Sequence, residues 1–192
     1  MFSVGDKIVY PMHGAGTIVS IEERDLFGEK QSYYTLEMPG AVKVMVPIAK
    51  AEQIGVRNVI DKETAGKVFH VLETDRTEMS MNWNKRYRDN MEKMKSGDVY
   101  EIADVVRNLS FKQKEKGLST GEKKMLVNAK QILVSELVLA EHASQDEVEN
   151  QVEQTIENSF ESYKLHLDSS EISAEDGIAK KFIPFDGTGT EV

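Results

Sequence analysis

Near residue 61 the spacing of apolar side chains changes from two to about 3.6 residues, so the chain reads as a stranded part followed by a helical part. Upstream of the change, Val4, Ile8 and Tyr10 open an alternating run that Pro11 ends. Gly14 and Gly16 mark a turn, and the β-branched run Thr17-Ile18-Val19-Ser20-Ile21 suits a pleated, half-buried surface. A hairpin is predicted between that run and Ser32-Tyr33-Tyr34-Thr35-Leu36, with Gly28 available for positive φ. Pro39-Gly40 makes another turn before Val42-Lys43-Val44-Met45-Val46. Short antiparallel strands this closely spaced predict a small SH3- or Tudor-like β-barrel over residues 1–52. The fold class expected is α+β, the barrel being followed by an all-α bundle over residues 53–164.

Helices are expected at 62–73, 83–95, 99–116, 120–142 and 145–163. Their starts carry polar caps with Glu at the third following position: Asp98 with Glu101, Ser119 with Glu122, and Ser144 with Glu147. Gly97 and Gly117 stand just past helix ends, where a left-handed residue is wanted. Val99, Ile102, Ala103, Val106 and Leu109 line up as one apolar stripe. Met125, Ala129, Ile132, Leu133, Leu137 and Ala140 line up as a second. Residues 165–192 hold no sustained period and are expected to be an acidic, flexible tail.

Charge is unevenly spread. The net charge is −9, an odd value for a nucleic-acid binder taken alone. Yet residues 76–135 hold 13 basic and 8 acidic side chains, whereas residues 136–192 hold 3 basic and 14 acidic ones. Local charge is what a phosphate meets on approach. The chain has no cysteine, which removes disulfides and thiolate chemistry and fits a reducing cytoplasm. No secretory signal or membrane-spanning run is read, so the expected location is cytoplasmic, without membrane association.

An enzyme is not expected. His13, His70, His142 and His166 fall in no ligand spacing, and Gly14-Ala15-Gly16 lacks the following helix of a phosphate loop. Hence no catalytic residue, metal, cofactor or small-molecule substrate is assigned. The informative cluster is Asn82-Trp83-Asn84-Lys85-Arg86-Tyr87-Arg88, which holds the one tryptophan beside three cations. DNA binders combine Lys and Arg for phosphates with an aromatic or apolar wedge between bases. Trp83, Tyr87, Met91 and Met94 also lie at core-stripe spacing, so wedge and core both stand on pattern alone. Lys112, Lys114, Lys116, Lys123, Lys124 and Lys130 add positive charge that a solvated helix face explains equally well.

Several runs, in order, resemble the CarD/CdnL family of bacterial transcription regulators. They are VGDKIVYPMHGAG (4–16), AEQIGVRNVI (51–60), NWNKRYRDNMEKMKSGD (82–98) and RNLSFKQKEKGLSTGEKKML (107–126). The N-terminal part is also similar to the polymerase-interacting module of transcription-repair coupling factor. The resemblance implies a Tudor-like domain that binds the RNA polymerase β subunit strand to strand. It implies further that the helical domain contacts promoter DNA at the upstream edge of the −10 melted region and stabilises the open complex. On it, Arg24 matches a polymerase contact, and Met45 replaces a second family arginine. Trp83 matches the minor-groove wedge, and Lys85, Arg86, Arg88, Lys124 and Lys130 match basic DNA contacts. Residues beyond about 160 have no family counterpart. A small-barrel RNA- or ribosome-associated factor and a protein–protein adaptor are the other readings of the residues.

Overall fold

The computed structural model describes residues 1–26 and 28–179. Five strands, β1 (Lys7–Tyr10), β2 (Gly14–Leu26), β3 (Glu29–Glu37), β4 (Lys43–Pro47) and β5 (Arg57–Asn58), form one antiparallel sheet in the order β4-β3-β2-β1-β5. The Tudor-like sheet is open, since β4 and β5 are its edges and do not pair. β5 was not predicted, and it carries the sheet past the boundary drawn at residue 52. Ile8, Ile18, Tyr34, Leu36 and Val46 are buried on one side of it.

A 3-10 turn (Ile48–Lys50) and the short α1 (Ala51–Ile54) lead through β5 into the bundle. The bundle comprises α2 (Lys62–Glu73), α3 (Trp83–Ser96), α4 (Val99–Glu115), α5 (Thr120–Glu141) and α6 (Gln145–Ala179). Both predicted apolar stripes are buried, α4 and α5 lying against each other through them. The capping signals hold in detail at Ser119 and Ser144, where each serine and its glutamate bond reciprocally. Asp98 caps α4 differently: its carboxylate accepts from Tyr100 N at 2.8 Å, and Glu101 turns to Lys93, 3.3 Å away. Helix α6 runs well past the expected end at 163, so 165–179 is helical rather than tail. Residues 180–192 lie outside the described part.

The sheet is seated on the bundle. Ala15 N donates to Ser135 Oγ of α5 at 2.8 Å, and Lys7 Nζ donates to the Leu139 carbonyl at 2.9 Å. A Cβ on Gly14 would come within 2.5 Å of Ser135 Oγ, and φ there is +107°. The Gly14-Ala15-Gly16 segment is thus the close seam between sheet and helix. Arg57 of β5 completes the seam. Its two terminal nitrogens meet Glu136 of α5 at 2.5 and 2.9 Å, and it also donates to the Gly97 carbonyl between α3 and α4. Glu136 is buried, and it accepts from Ile60 N as well.

Candidate nucleic-acid and polymerase interfaces

Helix α3 starts at Trp83 because Asn82 caps it, its side chain accepting from Lys85 N at 3.1 Å. At that position the indole is 45% exposed. The apolar stripe grades inward from there: Tyr87 and Met91 are half-buried and Met94 is fully enclosed. Trp83 is therefore no core residue. It lies on the Tyr87 ring with centroids 5.5 Å apart, and its Nε1 donates to Ser119 Oγ at 2.9 Å. Ser119 is the N-cap of α5, so two helix N-termini meet at the indole. Their aligned backbone dipoles make this end of the bundle favourable for anions.

The expected cations divide into two groups. Lys85 and Arg88 are exposed, and with Asn82, Asn84 and Tyr87 they line a shallow open groove beside the indole. Lys124 is exposed one turn along α5 from Gly121, the residue that lies against Trp83 and Tyr87. None of these three is in an ion pair among the described residues. Met81, which sequence reasoning passed over, is 88% exposed next to them.

Arg86 departs from the expectation of a phosphate contact. Its side chain is buried, with Nε donating to Glu122 Oε1 at 2.7 Å and Nη1 donating to the carbonyls of Ser80 and Met81. Three of its five N–H groups are thereby spent inside the protein. Burial pushes the Glu122 carboxyl up, but the bonds from Arg86 and Ser119 outweigh it and hold the group below the ordinary value. Lys130 departs too, because it pairs with Glu153 of α6. Lys114 likewise pairs with Glu157. The acidic helix α6 thus takes up Lys114 and Lys130, while Lys85, Arg88 and Lys124 keep their charge unpaired among the described residues.

At the other end of the molecule, β1 pairs with β2 only over Gly14–Thr17, and β4 pairs with β3 only over Tyr33–Glu37. From Val19 to Leu26, β2 has a partner strand on one side alone among the described residues. Residues 23–26 and 29–32 thus form a two-stranded ribbon with both edges open, and the β2 edge is open from Val19 onward. Arg24 stands on it, its side chain 55% exposed and paired with Glu22, two residues back on the same face, at 2.6 Å. A hydrogen bond from Ser20 and then the Arg24 guanidinium hold the Glu22 carboxyl below the usual range. Met45 is exposed on edge strand β4.

Two family models match the chain, the CarD-like/TRCF RID domain over residues 2–60 and the CarD C-terminal domain over residues 67–153. The first is an RNA polymerase-interacting domain. A Tudor-like sheet of that kind, joined to a helical unit with one exposed cationic end, defines a protein of the transcription apparatus. YdeB of Bacillus subtilis (strain 168), provisionally named a transcription factor, is 39% identical over 151 residues, covering 78% of this chain and 99% of that protein. The chain belongs to the CarD family. Among the described residues no helix is long and apolar enough to cross a membrane.

Proposed function

We propose that this protein docks on the RNA polymerase β subunit through the open ribbon of its sheet and holds promoter DNA with the Trp83 end of its bundle. The DNA site is the upstream edge of the −10 melted region, and the effect is a longer-lived open complex. The observation that carries the reading is the half-exposed indole standing among Lys85, Arg88 and Lys124 at two adjoining helix N-termini. The physical logic joins both ends. Strand addition to the ribbon gives an oriented tether through backbone hydrogen bonds. A short tether raises the effective concentration of a weak DNA-binding surface to about millimolar. An acidic protein can then act on DNA despite a poor affinity of its own. An indole that fits only an opened base step binds the melted promoter better than the closed one, and about 1.4 kcal/mol of such preference is tenfold in open complex. Such a protein works in the cytoplasm, on the nucleoid.

Pairing of Arg86, Lys114 and Lys130 with carboxylates favours, as a second reading, an adaptor that touches only proteins. One experiment separates the two. The full chain is titrated onto core polymerase with and without fork-junction DNA, and the open-complex lifetime is measured for wild type and Trp83→Ala. The DNA reading expects wild type to prolong the lifetime and Trp83→Ala to bind polymerase equally well without doing so. Equal lifetimes with both proteins would leave the adaptor.

A further inference from the structure

Four side chains at the exposed end of the bundle form one connected circuit. Arg86 Nε donates to Glu122 Oε1 at 2.7 Å, and Glu122 Oε2 accepts from Ser119 N at 3.0 Å. Ser119 Oγ accepts from Glu122 N at 3.2 Å and from the indole Nε1 of Trp83 at 2.9 Å. Arg86 and Glu122 are 8% and 1% exposed, so the charged half of the circuit is fixed in the protein interior. Arg86 also grips the carbonyls of Ser80 and Met81, which fixes the segment entering α3. The indole is therefore held at its edge by Ser119 and on its face by Tyr87, while its remaining surface meets solvent.

The geometry points to Ser119, Glu122 and Arg86 as positioning residues for Trp83: a buried ion pair and a helix cap that orient an exposed indole for insertion into DNA. The inference rests on the DNA reading proposed above and assigns these three residues no contact with the nucleic acid. A surface tryptophan has two free side-chain torsions, and ordering them at the moment of binding weakens the complex. Here the ordering is done on folding. A capping serine usually serves only its own helix, but this one has a second donor from a different helix. Moreover, the ion pair acts at the two ends that must stay together, linking the first turn of α3 to the first turn of α5.

The test uses the full chain. Ser119→Gly removes the indole's acceptor, yet glycine is a good N-cap residue and the Ser119 backbone N–H remains for Glu122. Ser119→Thr keeps a hydroxyl and is the rescue variant. Because Trp83 is the single tryptophan, acrylamide quenching and fluorescence anisotropy of the free protein report the indole directly. Ser119→Gly is expected to raise quenching, lower anisotropy, and weaken binding to the polymerase–fork-junction complex about three- to tenfold, the worth of one net hydrogen bond. Ser119→Thr should restore all three. Arg86→Gln should loosen the indole likewise while leaving the salt dependence of DNA binding as in wild type. If Ser119→Gly binds as tightly as wild type, or Arg86→Gln lowers the log-salt slope by about 0.9, the positioning role is wrong. A Trp83→Ala arm keeps the two ideas apart. Should Trp83→Ala bind the fork junction normally, the DNA reading itself falls; should it fail to bind while Ser119→Gly is normal, only the positioning role falls.

Discussion

Removing the Arg57 side chain would test how the sheet is fixed to the bundle. Arg57 presents two nitrogens to the two oxygens of Glu136, at 2.5 and 2.9 Å, and donates twice to the Gly97 carbonyl. Glu136 is 1% exposed in the intact protein, and Arg57→Ala leaves it only Ile60 N, 3.2 Å away, as a partner. Breaking a buried pair by deleting one partner costs about 3–5 kcal/mol. The Arg57 side chain is 31% exposed, which admits some water to the orphaned carboxylate. The lower end, about 3 kcal/mol, is the expected value, or a fall in melting temperature of roughly 6–12 °C for a chain of this size. The paired variant Arg57→Met with Glu136→Leu removes both charges at once and should recover to within about 1 kcal/mol of wild type. Thermal melting by circular dichroism of Arg57→Met, Glu136→Leu and the pair completes a double-mutant cycle. An Arg57→Ala cost under about 1 kcal/mol, or a paired variant whose loss equals the sum of the singles, would refute the argument. Arg57→Ala should also weaken the ternary complex with polymerase and fork-junction DNA more than it weakens polymerase binding. A loosened seam lowers the effective concentration of the DNA-binding end.

Four further outcomes are expected. In full-chain titrations of fork-junction DNA, Lys85→Ala, Arg88→Ala and Lys124→Ala should each lower the log-salt slope by about 0.9, and Lys130→Ala should leave it unchanged. Arg24→Glu, on the open ribbon, should cut affinity for a β-subunit fragment while shifting stability by about 0.5 kcal/mol or less; full affinity would remove Arg24 from the contact. The folded Glu122 carboxyl titrates below its unfolded value, so its stabilisation is complete above the ordinary glutamate range, about 4.3, and disappears as pH falls through the lower folded value. Glu122→Gln should flatten that part of the acid-melting profile, measured between neutral and acid pH, and an unaltered profile would dissociate Glu122 from it. Finally, Gly14→Ala should destabilise the protein by at least about 1 kcal/mol, because the left-handed backbone and the Ser135 hydroxyl both oppose a Cβ; a neutral melt would contradict the seam.

The regular elements were legible because periodicity and capping act locally. Lys62–Glu73 forms where the pattern places it, and Ser119 and Ser144 make the reciprocal bonds their glutamates promise. Pattern could not decide between core and surface for Trp83, since both readings share a spacing; position at the first turn, next to the start of another helix, put the ring outside. The burial of Arg86 was not legible, because a basic run hides which of its members turns inward, and Glu122 lies in another helix. The pairing of Lys130 was hidden for the same reason, its partner Glu153 being on α6. The bond from Trp83 to Ser119 crosses between helices and leaves no trace in local spacing. The continuation of α6 beyond 163 was missed because no apolar stripe runs through it to signal a helix.

The open ribbon has a consequence for the company this protein keeps in solution. An unpaired strand edge will accept any extended chain, including the same edge of a second copy. Along β2 the sequence is Glu22-Glu23-Arg24-Asp25. An antiparallel self-pairing centred on Glu22 or on Arg24 sets carboxylate against carboxylate or guanidinium against guanidinium, and like charges directly opposite oppose pairing. One centred on Glu23 sets two Glu22–Arg24 pairs against a single Glu23–Glu23 pair. A foreign strand with cations facing Glu22, Glu23 and Asp25, and an acid facing Arg24, meets no such repulsion. The charges of the ribbon thus penalise some registers of self-pairing and none of a complementary strand, so they sort partners before any side chain has to fit.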